Sequence, residues 1–180
     1  LVLISCSTSE KTTTVIKTTV PDRVSGQTDV LGLRCDPIPT VRVGFIGIGM
    51  RGIGAVNRFM AIDGVEIKAI CDLEEYNLQH AQTAITNQGR PKADEYTGED
   101  GWKQLCDRDD IDLVYICTDW RSHTPIAVYA MEQGRHAAIE VPAATSLDEC
   151  WQLVNTAEKT RRHCMTVPYT HRTRPTKRIV

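Results

Sequence analysis

None of the seven cysteines, Cys6, Cys35, Cys71, Cys106, Cys117, Cys150 and Cys164, forms a C-x-x-C pair or falls at metal-ligand spacing, so no zinc or other metal site is expected. The 180-residue chain carries a formal net charge of -2, which gives a nucleic-acid role no support. It has no apolar run long enough for a membrane span, and its body is expected to be soluble. No internal repeat is present. Hydrophobic residues make up 41% of the chain, enough for one ordinary core and not for two full domains.

What is present is concentrated in one segment. Val41 to Gly52 reads V-R-V-G-F-I-G-I-G-M-R-G, an apolar run that breaks into G-x-G-x-x-G at Gly47, Gly49 and Gly52. Asp72 follows twenty positions later, at the end of a second apolar run from Val65 to Cys71. A dinucleotide site needs these parts in this order. Gly47 permits the tight turn, Gly49 the approach of backbone to a pyrophosphate, and Gly52 the close packing of the next helix. That helix is expected to begin near Met50 and Arg51, with its free N–H groups and positive dipole end facing the phosphates. Asp72 can accept the adenosine ribose hydroxyls. Leu73, and no basic residue, follows it, so NAD is expected over NADP.

From Val41 onward, strands and helices alternate, which predicts an α/β domain with a doubly wound parallel sheet. Strands are expected near Val41 to Ile46, Val65 to Cys71, Leu113 to Thr118, His136 to Glu140 and Cys164 to Val167. Helices are expected near Arg51 to Ala61, Glu75 to Asn87, Gly101 to Cys106, Pro125 to Gln133 and Leu147 to Thr160. Gln88 to Gly98 reads as a loop. Ser146 with Glu149 suits a capping box, and Gly134 a helix C-terminus. Cys71 and Cys117 end apolar strands and read as small buried hydrophobes.

Two further clusters fall where strands end. In Cys117-Thr118-Asp119-Trp120-Arg121-Ser122-His123-Thr124-Pro125, Trp120 offers a flat apolar face and His123 a donor beside a nicotinamide; a turn with a capping Thr is the plainer alternative. Ile139-Glu140-Val141-Pro142-Ala143-Ala144 closes the next strand.

The ordered set G-I-G-M-R-G, C-D, T-D-W-R-S-H and E-V-P-A-A resembles the Gfo/Idh/MocA family of NAD(P)-dependent sugar-oxidising proteins. Within that family it looks most like glycoside hydrolase family 109, the NAD-dependent α-N-acetylgalactosaminidases. The likeness covers about Pro39 to Met165. Dehydrogenases of the family carry Glu-Lys-Pro, and Val141 stands here in the Lys position, which agrees with the glycosidase branch. The resemblance implies cofactor contacts at Met50 and Arg51, Asp72, Trp120 to His123, and Glu140 and Val141. His123 is the candidate proton carrier. It also implies an Asn near position 169, where this chain has Tyr169, and a second, α+β substrate domain.

The ends read differently. Leu3-Ile4-Ser5-Cys6 followed by a Ser/Thr/Lys stretch resembles the end of a bacterial lipoprotein signal with Cys6 lipidated and residues 1–38 a flexible tether. A disordered leader in a cytoplasmic protein is the alternative. Thr166 to Val180 reads as an irregular basic tail behind an NAD-binding Rossmann domain at 39–165, which leads us to expect a chain that stops or changes frame before the substrate domain. Such a fragment is expected to be inactive and poorly soluble.

What the resemblance implies for the whole enzyme is hydrolysis of terminal α-N-acetylgalactosamine on glycans through transient oxidation at C3 and elimination. The alternatives are an NAD-dependent sugar or inositol dehydrogenase and a non-catalytic nucleotide-binding pseudoenzyme. The sequence leaves the oligomeric state open.

Overall fold

The computed structural model describes residues 20–167. In chain order these form β1 (Val41–Ile46), α1 (Met50–Met60), β2 (Val65–Cys71), α2 (Glu75–Asn87), β3 (Asp94–Tyr96) and α3 (Gly101–Cys106). Then follow β4 (Leu113–Ile116), α4 (Trp120–Glu132), β5 (His136–Glu140), α5 (Leu147–Thr160) and β6 (Cys164–Val167). The six strands make one sheet in the order β3-β2-β1-β4-β5-β6, and every pair is parallel. This is the expected doubly wound Rossmann arrangement.

Alternation along the strands, shifted in β2 by a register irregularity opposite Val43 and Gly44, divides the apolar residues between two layers. Val43, Phe45, Ile67, Ile70, Tyr115 and Ala138 pack against Ala55, Val56 and Met60 of α1 and Leu78, Ala81 and Ile85 of α2. Ile46, Val114, Ile116, Ala137 and Ile139 pack on the other face against Leu105 of α3, Ile126 and Met131 of α4, and Leu153 and Ala157 of α5. Gly44 sits between the layers because α3 leaves no room: a Cβ there would lie 2.6 Å from Leu105 Cδ2. Phe45, Phe59 and Tyr115 meet with ring centroids 5.2 to 5.4 Å apart under α1. Phe45 and Tyr115 are buried and Phe59 partly so; a fully buried ring is worth roughly 1.5–3 kcal/mol of transfer free energy, so this corner anchors the first βαβ unit.

Four expectations need correction. The segment expected as a loop, Gln88 to Gly98, contains β3, which pairs with Ala69 to Cys71 of β2. Its residues Asp94, Glu95 and Tyr96 give no apolar run, and the strand exists because the edge of β2 offers unpaired backbone groups. Helix α4 starts at Trp120, five residues ahead of Pro125, because Asp119 serves as N-cap and accepts from the N–H of Arg121. Pro125 then falls within the helix, where it removes one N–H near the first turns. Thr166 and Val167, which fall in both the expected strand Cys164 to Val167 and the expected tail, belong to the strand and pair with Ile139 and Glu140. Tyr169 and the rest of that tail lie outside the described residues, as does Cys6.

The fourth correction concerns the tether. Its described part docks on the domain: Arg23 donates twice to Glu158, at 2.9 and 2.8 Å, and Gln27 donates to the same carboxylate at 2.7 Å. Arg161 reaches back to the carbonyls of Thr28 and Asp29. The Glu158 side chain is 2% exposed, and a carboxylate so placed requires cationic or N–H partners. Other helix termini follow expectation. Ser146 and Glu149 close a capping box at α5, and Gly134 follows α4 at φ 84°. No helix among the described residues is long and apolar enough to cross a membrane.

Candidate functional site

Because β1 lies between β2 and β4, the crossovers leave in opposite directions from its carboxyl end and open a crevice there. A cleft of about 660 Å³ occupies it, walled by Gly47 and Gly49, by Asp72, Leu73 and Asn77, and by Thr118, Arg121 and Ser122. Trp102 of α3 and Ile126 of α4 form its apolar side.

The glycines do different work. Gly47 takes φ 82°, and a Cβ there would lie 2.7 Å from the Cys117 carbonyl. A Cβ on Gly52 would sit inside the carbonyl oxygen of Gly47, so this position holds α1 against the turn. A Cβ on Gly49 would meet no heavy atom within 4 Å, so here the free space faces the cleft. Gly49 is also the N-cap of α1 and has no side-chain cap hydrogen bond; no acid stands in the first turn. The leading N–H groups of α1 are therefore available to an anion. At α4 the equivalent place is taken by Asp119. The Ser122 hydroxyl, donating at 2.6 Å, and backbone N–H groups hold its carboxyl below the usual carboxylate range.

Asp72 lies where the fingerprint requires, and its carboxylate is already engaged. Oδ2 accepts the Ile48 N–H at 2.5 Å, and Oδ1 accepts the Glu74 N–H at 2.9 Å and Asn77 Nδ2 at 3.1 Å. The carboxylate thus fastens the glycine turn to the end of β2. Of its roughly four acceptor positions three are taken within the protein, and Asp72 lines the cleft. Cys71 and Cys117 also line the cleft, and burial pushes both thiols up to about 12, so each is a neutral apolar wall.

The remaining sequence-selected residues do not all meet in this cleft. Trp120, 63% exposed, borders an adjoining hollow with Asp119, Arg121 and Thr145. Met50 is exposed at the start of α1, and Val141 is exposed after β5. Arg51 and Glu140 line a separate hollow of about 490 Å³ on the α1 face of the sheet, with Arg58 and Tyr115. There the Tyr115 hydroxyl donates to Glu140 Oε1 at 3.0 Å, and burial raises its pKa. His123, expected as a donor facing the nicotinamide, is 1% exposed, with both ring nitrogens on backbone carbonyls. It occupies the inner side of α4, because that helix begins earlier than expected and turns residue 123 inward.

Sequence reading missed the Ile48–Asp72 tie, the capping role of Asp119, Trp102 in the cleft wall and Tyr115 beneath Glu140. Asp119 was detectable, since an Asp directly after an apolar strand is a strong N-cap signal. The others depend on tertiary proximity that no spacing encodes.

A family model described as "Oxidoreductase family, NAD-binding Rossmann fold" matches residues 41–167. The chain is 59% identical over 143 residues to a protein of Bacteroides fragilis named "Alpha-N-acetylgalactosaminidase", covering 79% of this chain and 34% of that relative. It is 55% identical over 170 residues to "Glycosyl hydrolase family 109 protein 1" of Phocaeicola vulgatus, covering 91% of this chain and 36% of that one. The chain thus spans about a third of the length of the curated relatives it matches. Among solved structures, the myo-inositol dehydrogenase of Lactobacillus casei in complex with NAD(H) and myo-inositol superposes with a TM-score of 0.62 at 22% identity, over 71% of this chain and 36% of that one. That likeness is one of fold.

Proposed function

We infer the function from one premise: the chain belongs to the Gfo/Idh/MocA oxidoreductase family, as an NAD-binding Rossmann domain. The whole protein to which it corresponds is, in our reading, an NAD-dependent glycosidase that releases terminal α-N-acetylgalactosamine from glycans. The observation that carries this is the 59% identity to the Bacteroides fragilis protein named for that activity. Val141 in place of the dehydrogenase Lys supports it.

The cofactor is held by this chain's own groups. The N–H groups leading α1 beside Gly47 and Gly49 receive the pyrophosphate; Arg51, in the first turn of α1, lines the neighbouring hollow. Asp72 takes the adenosine ribose and, with Leu73 beside it, disfavours a 2'-phosphate. Trp120, Arg121, Ser122 and Val141 border the path toward the nicotinamide half, with Met50 at the head of α1; Glu140, held by Tyr115 in the separate hollow, braces the end of β5. When bound, NAD supplies a hydride acceptor and donor for C3 of the sugar, which transiently acidifies the C2 proton and lets the glycosidic oxygen leave by elimination. The domain's part is to hold and orient. Proton transfer to substrate is assigned to the remainder of the full-length enzyme, and this chain alone is expected to be inactive.

A lipid anchor at Cys6, with the domain at the surface of the cell envelope, accompanies this reading. It rests on Leu3-Ile4-Ser5-Cys6 and the Ser/Thr/Lys stretch behind it. Membrane fractionation of cells making the protein, with a Cys6→Ser control, tests the anchor; release of both forms in the soluble cytoplasmic fraction rules it out.

The activity is tested with a p-nitrophenyl α-N-acetylgalactosaminide, using this chain and a form extended through the second domain, while bound NAD is measured. Release by the extended form alone, with NAD retained and solvent deuterium entering C2, is expected. Net NADH from free sugars without glycoside cleavage marks a dehydrogenase instead.

A further inference from the structure

His123 stands fourth in α4, in the cluster whose sequence aims at the cofactor, yet its ring is 1% exposed. Its two nitrogens lie against carbonyls from two different loops. Nδ1 is 2.8 Å from the oxygen of Pro142, in the turn after β5, and Nε2 is 3.1 Å from the oxygen of Thr118, in the turn after β4. The neighbouring Thr124 donates its hydroxyl to Ala143, one residue further along the same turn, at 3.0 Å. The far end of that turn is fixed as well, since the Glu149 carboxylate accepts the Thr145 N–H and hydroxyl at 2.5 and 2.7 Å.

Three ties thus bracket residues 142–145, and Val141 at their head is 47% exposed. An imidazole suits the central tie because its two nitrogens point in divergent directions from one rigid ring. Because α4 leads directly out of the Thr118 turn, a ring N–H donated to the Pro142 carbonyl is enough to join the two turns. An apolar side chain of the same size would fill the space and leave both carbonyls without this partner.

We propose that His123 is a positioning residue that latches the Val141 turn to the Thr118 turn and so sets the wall for the nicotinamide half of NAD. It is not a proton carrier. The inference rests on the NAD-binding reading above. With Asp72 at the end of β2, the adenosine half lies on one side of β1. The other half must then lie across α1's first residues toward β4 and β5, where Thr118, Trp120 and Val141 stand. The latch therefore acts on one half of the ligand.

The test titrates the full 180-residue chain and its variants with NAD and with ADP-ribose, which lacks the nicotinamide. For His123→Ala, NAD affinity is expected to fall about tenfold or more while ADP-ribose binding stays within about twofold. Added imidazole should restore part of the loss, and His123→Gln, which keeps amide donors, should lose less. Equal losses for both ligands, or an unchanged NAD affinity, overturn the latch. A wild-type chain that binds neither ligand overturns the NAD reading itself and is told apart by that result. Should His123→Ala fail to fold, nitrogen-15 NMR of histidine-labelled wild type decides. A ring N–H protected from water, with and without NAD, is expected; a ring exchanging freely with solvent contradicts the proposal.

Discussion

Oδ2 of Asp72 accepts the backbone N–H of Ile48 at 2.5 Å, joining the residue between the first two fingerprint glycines to the acid that ends β2. Ile48 is 2% exposed, so water does not replace that acceptor. Asp72→Ala should destabilise the domain by about 1–3 kcal/mol through the stranded N–H and weaken NAD by about 10- to 100-fold. Asp72→Asn, which keeps one acceptor oxygen, should recover much of the stability and less of the affinity. Denaturant melts and calorimetric titrations on the two variants separate the roles; equal effects on both quantities would show that Asp72 only braces the turn.

The same carboxylate governs the choice of cofactor. Leu73 is 72% exposed beside it, in the wall of the cleft. Asp72→Ser with Leu73→Arg removes the negative charge and adds a guanidinium where a 2'-phosphate would sit. The double variant should bind NADP at least about tenfold better than wild type does, by direct titration. No gain would mean that the ribose does not lie at Asp72.

Two glycines three residues apart should fail in opposite ways. Gly52→Ala drives its methyl into the Gly47 carbonyl, within packed backbone, and should destabilise the domain by about 3 kcal/mol or more. Gly49→Ala meets no atom of the protein, so stability should change by less than about 1 kcal/mol. Its methyl stands in the space left for a pyrophosphate, and NAD binding should be largely lost. A stable Gly49→Ala domain with wild-type affinity would place the phosphates elsewhere.

Acid should loosen the docked leader. Hydrogen bonds from Arg23 hold the Glu158 carboxyl down to about 2, against an ordinary value of 4.5. A carboxyl with a depressed folded-state pKa contributes stability that is fully present above about pH 4.5 and disappears as pH falls toward 2. Arg23→Met should therefore be less stable than wild type at pH 7, and the difference should shrink steadily below pH 4.5. A constant gap across that range would show that Arg23 acts through packing alone.

Much of this fold is readable in the chain because its parallel strands are buried on both faces and their apolar runs stand out. β3 is not readable, since Asp94, Glu95 and Tyr96 become a strand only through the edge of β2. The start of α4 shows a competition between two local signals: Pro125 suggests the first turn, but the Asp119 cap sets it five residues earlier. That shift carries His123 from an expected place facing the cofactor to the inner side of the helix. Gly47, Gly49 and Gly52 were legible because their jobs are backbone jobs fixed by spacing, whereas Asp72 was legible in position but not in its tie to Ile48. Glu140 was selected by resemblance, and its hydrogen bond to Tyr115 appears only once β4 and β5 are paired.

The most direct measurement is calorimetric titration of the 180-residue chain with NAD, and with NADP as its counterpart. The account predicts one NAD per chain, abolished by Gly49→Ala, with NADP at least about 100-fold weaker. A folded chain that takes up neither nucleotide, or that prefers NADP, contradicts it.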